Sequence, residues 1–198
     1  MRIAIEVDGV LRDTFSKIEQ IYQKFFIDEL ELVDEDFQFE IVRPFDTPDF
    51  KNHFKFKTDE EYLSFIYEEF AMQIFGHSPS THMSTFQDLN EIYRKYKDDF
   101  EFVLISEQVG KTKPATLFFI SKFGCEIDRI IFYNKLNEEK IWKEFDILLA
   151  SNPHLLQESK DKTLIKFETS YNSSIKIDKT ISNLKEFEEE LKKLKNND

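Results

Sequence analysis

A chain of 198 residues with 40% hydrophobic content has the length for one domain with a modest insertion and is too apolar to be a disordered tail. Its 27 basic and 39 acidic residues leave a net charge of −12, which repels a nucleic-acid backbone over most of the surface while leaving room for a small basic pocket that holds one phosphate. The single Cys125 excludes an internal disulfide and reads as a small core residue, and no run of 18 apolar residues offers a membrane span.

Residues Ile3 to Val7 read as a buried strand that stops at the charged turn Asp8-Gly9. The chain enters this strand directly, without a secretory leader pattern, so the expected location is the cytoplasm or a particle assembled there. Helical spacing follows over residues 14–27, with Ile18, Ile21, Tyr22 and Phe25 on one face. Residues 28–58 are acidic and aromatic, carry Pro44 and Pro48, and lack a clear period, so they read as an irregular connection. Thr58-Asp-Glu-Glu61 is a capping-box pattern that predicts a helix to about Ile74, and Gly76, Pro79 and Ser80 end it. A further helix is expected over Thr85–Asp98, with Phe86, Leu89, Ile92 and Tyr93 apolar.

The second half alternates regularly. Strands are expected at Phe100–Ser106, Arg129–Tyr133, Asp146–Ala150 and Leu164–Glu168. Helices are expected at Pro114–Phe123, with Leu117, Phe118, Ile120 and Ser121 packing and Gly124 as the C-cap, at Glu138–Glu144, and over Asn183–Leu194. Pro153–Gln157 reads as a turn or short helix. Strands separated by helices predict an α/β fold, a Rossmann-like parallel sheet with helices on both faces. A helical cap is inserted after the first strand. Residues 1–13 and 86–198 form the core and residues 14–85 the cap. In such a sheet the ligand site lies beyond the carboxyl ends of the strands, where Glu6, Asp8, Ser106, Lys135 and residues 150–152 fall.

The opening Met1-Arg-Ile-Ala-Ile-Glu-Val-Asp-Gly-Val-Leu-Arg-Asp13 resembles the first motif of the haloacid dehalogenase-like phosphohydrolases, a strand followed by Asp-x-Asp-Gly-Val-x-x-Asp. Val103-Leu-Ile-Ser106 resembles their second motif, Phe132-Tyr-Asn-Lys135 the third, and Phe145-Asp-Ile-Leu-Leu-Ala-Ser-Asn-Pro153 the fourth. Leu164-Ile-Lys-Phe167 with Tyr171-Asn172 is similar to a phrase of the deoxyribonucleotidase-like branch. The resemblance implies a nucleophile at Glu6, a general acid/base at Asp8, and phosphate binding by Ser106 and Lys135. It also implies a Mg²⁺ ion, for which Glu6, Asp8 and Asn152 are the remaining oxygen donors.

Two departures weaken the implied chemistry. The nucleophile position holds Glu6 in place of Asp, longer by one C–C bond of about 1.5 Å, and a displacement of about 1 Å costs roughly a hundredfold in rate. The family's acidic pair in the fourth motif is replaced by Ala150 and Ser151, although Mg²⁺ usually takes one or two carboxylates. Asp8 reads either as the acid/base or as a turn residue capping the next helix. Ser106 reads as an anion ligand or a cap. Lys135 reads as a phosphate ligand or as the ion-pair partner of Glu6 or Asp8. The four histidines show no metal-ligand spacing.

The expectation is a catalytically degenerate member of this superfamily, without a cofactor, that acts as a structural or protein-interaction component beside other proteins of an assembly. The 22 Phe among 198 residues and the Lys- and Asn-rich composition point to an AT-rich genome, and with the compact size to a bacteriophage virion. The aromatic segment 28–58 and the helix from Thr58 are the expected contact surfaces. The alternative is a Mg²⁺-dependent phosphatase of nucleotide-like monoesters.

Overall fold

The computed structural model describes residues 1–28, 37–134, 136–137, 143–158 and 162–196. Six parallel strands form one sheet: β1 (Arg2–Glu6), β2 (Glu101–Glu107), β3 (Ile130–Tyr133), β4 (Ile147–Ala150), β5 (Thr163–Phe167) and β6 (Thr180–Ile181), in the order β3-β2-β1-β4-β5-β6. This is the doubly wound, Rossmann-like arrangement that the alternation of strands and helices predicts. The short strand β6 was not expected; its two residues pair with Lys166 and Phe167.

The strands bury both faces, as a parallel sheet requires. Ile3 and Ile5 of β1 point into one core with Leu104, Ile147, Leu149 and Ile165. That core is covered by α3 (Thr85–Tyr96) through Phe86, Leu89 and Ile92, and by α6 (Leu184–Asn196) through Leu184, Phe187 and Leu191. Ala4, Val103, Ile105, Leu148 and Ala150 point the other way and meet Leu155 and Leu156 of α5 (Pro153–Glu158). The period-2 alternation of β1 is thus read by two separate cores.

Between β1 and α3 lies the cap. α1 (Thr14–Tyr22) leads into a widened, π-helical turn over Gln23–Asp28. The extra residue per turn rotates the expected face: Phe26 is buried and Phe25 is exposed. α2 (Asp59–Ser64) starts at the expected cap, with Glu61 N donating to Thr58 Oγ1 at 3.1 Å. It does not run unbroken to Ile74, because π-helical turns replace it over Phe65–Glu69 and Met72–Gly76. These segments share an aromatic core that includes Tyr22, Phe54, Tyr62, Phe65 and Phe75, with Phe39, Phe45, Phe50 and Phe56 packed against it. Phe39, Phe45, Phe50, Phe54 and Phe56 of the 28–58 segment thus pack into the cap interior, which leaves less of this aromatic surface for a contact than expected.

α4 (Thr112–Lys122) joins cap to sheet, giving Ala115 to the cap core and Phe119 to the sheet core. Its buried face is Thr112, Ala115, Thr116 and Phe119. Leu117, Phe118 and Ser121 face solvent, contrary to expectation. The helix has no single apolar stripe, because it must serve two cores at different angles. Gly124 closes it with φ +63° as expected. No described helix is long and apolar enough to cross a membrane. Lys135 and residues 138–142, where a short helix was expected, lie outside the described residues.

Candidate functional site

β1 has β2 on one side and β4 on the other, so the strand order reverses beside it. This is where an α/β sheet opens a crevice at its carboxyl edge. Glu6 ends β1 there and is 3% exposed. One of its oxygens, Oε2, accepts hydrogen bonds from Ser151 N (2.7 Å), Asn152 N (3.0 Å) and Ser151 Oγ (3.0 Å). Both amides belong to the loop where β4 turns into α5. Burial pushes the Glu6 acid up to about 8, against the pull of the Ser151 and Asn152 N–H groups and with a smaller push from the Asp8 charge.

Asp8 lies two residues on and is occupied differently. Arg12 Nε and Nη2 donate to its Oδ1 at 2.9 and 2.7 Å, and Nη2 reaches Oδ2 at 2.9 Å. Thr14 Oγ1 donates to Oδ1 at 2.9 Å and Ser106 Oγ to Oδ2 at 3.2 Å. Both oxygens are filled by protein donors. Asp8 caps no helix: the N-cap of α1 is Asp13, which accepts from Ser16 N at 3.1 Å. Ser106 caps nothing either, since its hydroxyl goes to Asp8.

Arg12 is fully buried. Its remaining nitrogen, Nη1, donates to Phe75 O (2.8 Å) and Thr116 Oγ1 (2.9 Å). Its guanidinium lies 5.1 Å from the Phe75 ring centroid and 5.2 Å from that of Phe119. The planar fork suits this place: it pairs a carboxylate with two nitrogens while two aromatic rings take its faces. Arg12 thereby ties the loop after β1 to the last turn of the cap and to α4. The sequence offered one signal for it, a lone cation four residues after Asp8, but nothing local shows that the two meet outside a helix.

Ser151 places its hydroxyl between Glu6, the Asp8 carbonyl and Tyr171. Besides Glu6, it lies 3.1 Å from the Asp8 carbonyl oxygen and 3.1 Å from Tyr171 Oη. Gly9, at φ +76°, leaves the room this needs. A Cβ at Gly9 would overlap both Ser151 Oγ and Tyr171 Oη. Gly9→Ala is expected to cost more than about 2 kcal/mol, from left-handed backbone plus overpacking, measured by urea unfolding. A cost under about 0.5 kcal/mol would show that the loop can relax away.

The segment after β5 fixes the Ser151 loop from behind. Asn172 is fully buried, and its Nδ2 donates to Ser151 O and Phe167 O, both at 2.8 Å. Lys166, also buried, donates from Nζ to Ile175 O at 2.9 Å. Tyr171 is raised in pKa by burial and by the nearby Glu6 charge. Its ring meets Phe15 of α1 at 5.6 Å, and Phe15 stacks on Phe45 at 5.0 Å. Ser170 Oγ donates to Phe45 O at 2.5 Å, so the cap rests directly on this loop. Thus Tyr171-Asn172 belongs to the site, by supporting it.

The residues present offer a magnesium ion few free oxygen ligands. Mg²⁺ requires near-octahedral oxygen ligands at about 2.1 Å and usually a carboxylate with free lone pairs. Here Oε2 of Glu6 is taken by two N–H groups and a hydroxyl, and that hydroxyl sits between the carboxylate and the Asp8 carbonyl. The Asn152 side chain turns away: its Oδ1 accepts from His154 N at 3.0 Å and caps α5. No group of three or more His, Cys, Asp or Glu side chains among the described residues has the geometry to hold a metal. No protein-family model matches the chain, and no curated protein matches it.

Proposed function

We propose that the chain is a catalytically silent protein on a haloacid dehalogenase-like fold, acting as a structural or protein-interaction component among other proteins of an assembly. The carrying observation is that protein donors engage both candidate catalytic carboxylates: one oxygen of Glu6 is held by the Ser151–Asn152 loop, and both oxygens of Asp8 by a buried Arg12 with Thr14 and Ser106. Phosphoryl transfer depends on an exposed nucleophile and positive charge aimed at the transferred group. In this crevice the nucleophile position is 3% exposed, and the guanidinium is aimed at Asp8. Ser106 spends its hydroxyl on the same carboxylate. The bacteriophage virion is the assembly that composition brings to mind, and the scaffold does not depend on it.

Phosphate release from a panel of nucleotide and sugar monoesters in Mg²⁺ tests the proposal. Wild-type protein is expected to release no more phosphate than Asp8→Asn. Turnover by the wild type that Asp8→Asn abolishes replaces the scaffold by the phosphatase. Sedimentation of native extract adds a second check, in which the protein is expected to travel with a large particle and not as a free monomer.

A further inference from the structure

The cap carries a second feature, remote from Glu6 in the chain and built from different chemistry. A cavity of about 320 Å³ opens where the turn after α1 meets α2. Its apolar lining is aromatic: Phe25, Phe26 and Phe65, with ring centroids 5.6 Å apart for Phe25–Phe26, 4.9 Å for Phe26–Phe65 and 6.2 Å for Phe25–Phe65. Phe26 and Phe65 are buried, while Phe25 is 40% exposed. The π-helical turn at Gln23–Asp28 turns Phe25 outward.

Among the described residues the charged lining is acidic. Glu60, Glu61 and Glu69 line the cavity, and no described basic residue does. Glu61 accepts from Lys57 N at 2.7 Å and Glu69 from Ser64 Oγ at 2.8 Å, which fixes both carboxylates without neutralising them. Two lysines nearby pair with other acids, Lys51 with Asp59 and Lys111 with Glu68. The cavity thus combines three aromatic side chains, of which Phe25 is exposed, with three carboxylates.

We infer that this cavity receives an arginine side chain presented by a partner protein. A guanidinium stacks on aromatic faces and forks two carboxylate oxygens at once, whereas an ammonium is a strongly hydrated point charge that does neither so well. A purely apolar occupant would bury the three carboxylates beside it without a counter-charge, which is costly. The net charge of −12 adds long-range attraction for a basic partner but no specificity.

The inference is independent of the crevice at Glu6, and either can fail without the other. Fluorescence anisotropy with a labelled tetra-arginine peptide tests it, with tetra-lysine alongside. Phe25→Leu keeps apolar bulk and removes the ring. It is expected to weaken tetra-arginine binding roughly three- to thirtyfold. Glu60→Gln with Glu69→Gln, both at exposed positions, is expected to weaken it at least as much. Asp98→Asn with Asp128→Asn removes the same charge elsewhere and is expected to change binding less than twofold. Equal losses from the two double variants, no effect of Phe25→Leu in a folded protein, tetra-lysine binding as tight as tetra-arginine, or no binding at all would each overturn the assignment. If Phe25→Leu does not fold, the comparison of the two charge variants decides.

Discussion

Glu6→Gln is expected to make the protein more stable above pH 8 and to leave it nearly unchanged near pH 5. The folded state holds the Glu6 proton up to about pH 8, while the unfolded chain releases it near the ordinary 4.5. Below that value both states are protonated, and Glu6 places no electrostatic load on the fold. Between the two values the folded state binds more protons than the unfolded one, so stability falls as pH rises. Above about pH 8 the loss is complete, with a ceiling of about 5 kcal/mol at 1.36 kcal/mol per pH unit. A glutamine oxygen can accept the same three donors from Ser151 and Asn152 without ever ionising. Urea unfolding from pH 5 to 9 checks this: the wild-type and Glu6→Gln curves should diverge upward from about pH 5. Parallel curves, or a glutamine variant weaker at every pH, would show that the three donors hold Glu6 as an anion. The prediction also bears on the proposed silence of the crevice, since a carboxyl protonated at neutral pH is no nucleophile.

Removing Arg12 is expected to be the most damaging single change outside the hydrophobic cores. Arg12→Met retains bulk between Phe75 and Phe119 but takes the guanidinium donors from Asp8, Phe75 O and Thr116 Oγ1, leaving Asp8 only Thr14 and Ser106. Breaking one side of a buried pair costs about 3–5 kcal/mol, mostly through the charge left behind. Asp8 is partly open to water, which places the expected value at the lower end. Asp8→Asn should also destabilise, because it strands a fully buried guanidinium. The double variant, Arg12→Met with Asp8→Asn, should recover at least about 1 kcal/mol of the summed single losses. Strict additivity in that cycle would mean the pair is not coupled, and that Arg12 acts only through the cap and α4. Cap opening is expected to follow the same hierarchy, since Arg12 joins Asp8, the Met72–Gly76 turn and α4. Hydrogen exchange at Phe75 and Gly76 should speed up in Arg12→Met before exchange in β1 does.

Much of the fold was legible without coordinates because it rests on local periodicity. The alternating apolar residues of β1, the apolar strands after Phe100 and the capping signals at Thr58 and Gly124 each follow from nearest-neighbour chemistry. So does the order of strands and helices, which limits the sheet to a few topologies. Local rules erred where one element serves two neighbours or where a turn widens. Leu117 and Phe118 have the hydrophobicity of core residues, but α4 is clasped by cap and sheet on its other sides. Phe25 and Phe26 exchange places because a π-helical turn inserts one residue, a change that arises from packing and not from propensity.

Sequence by itself determined which residues reach the carboxyl edge of the sheet: Glu6, Asp8, Ser106 and the Ala150–Asn152 loop all stand at strand ends fixed by hydrophobic runs. It also determined that two positions of that loop, Ala150 and Ser151, carry no charge. What those groups do to one another was decided only by the tertiary structure. Arg12, Thr116, Phe75, Tyr171 and Asn172 are separated from Glu6 and Asp8 by between 4 and 166 positions, and no periodicity links them. Their meeting depends on how the cap and the β5 loop close over the sheet edge. Buried polar groups must find partners, and in this chain the nearest partners turned out to be each other.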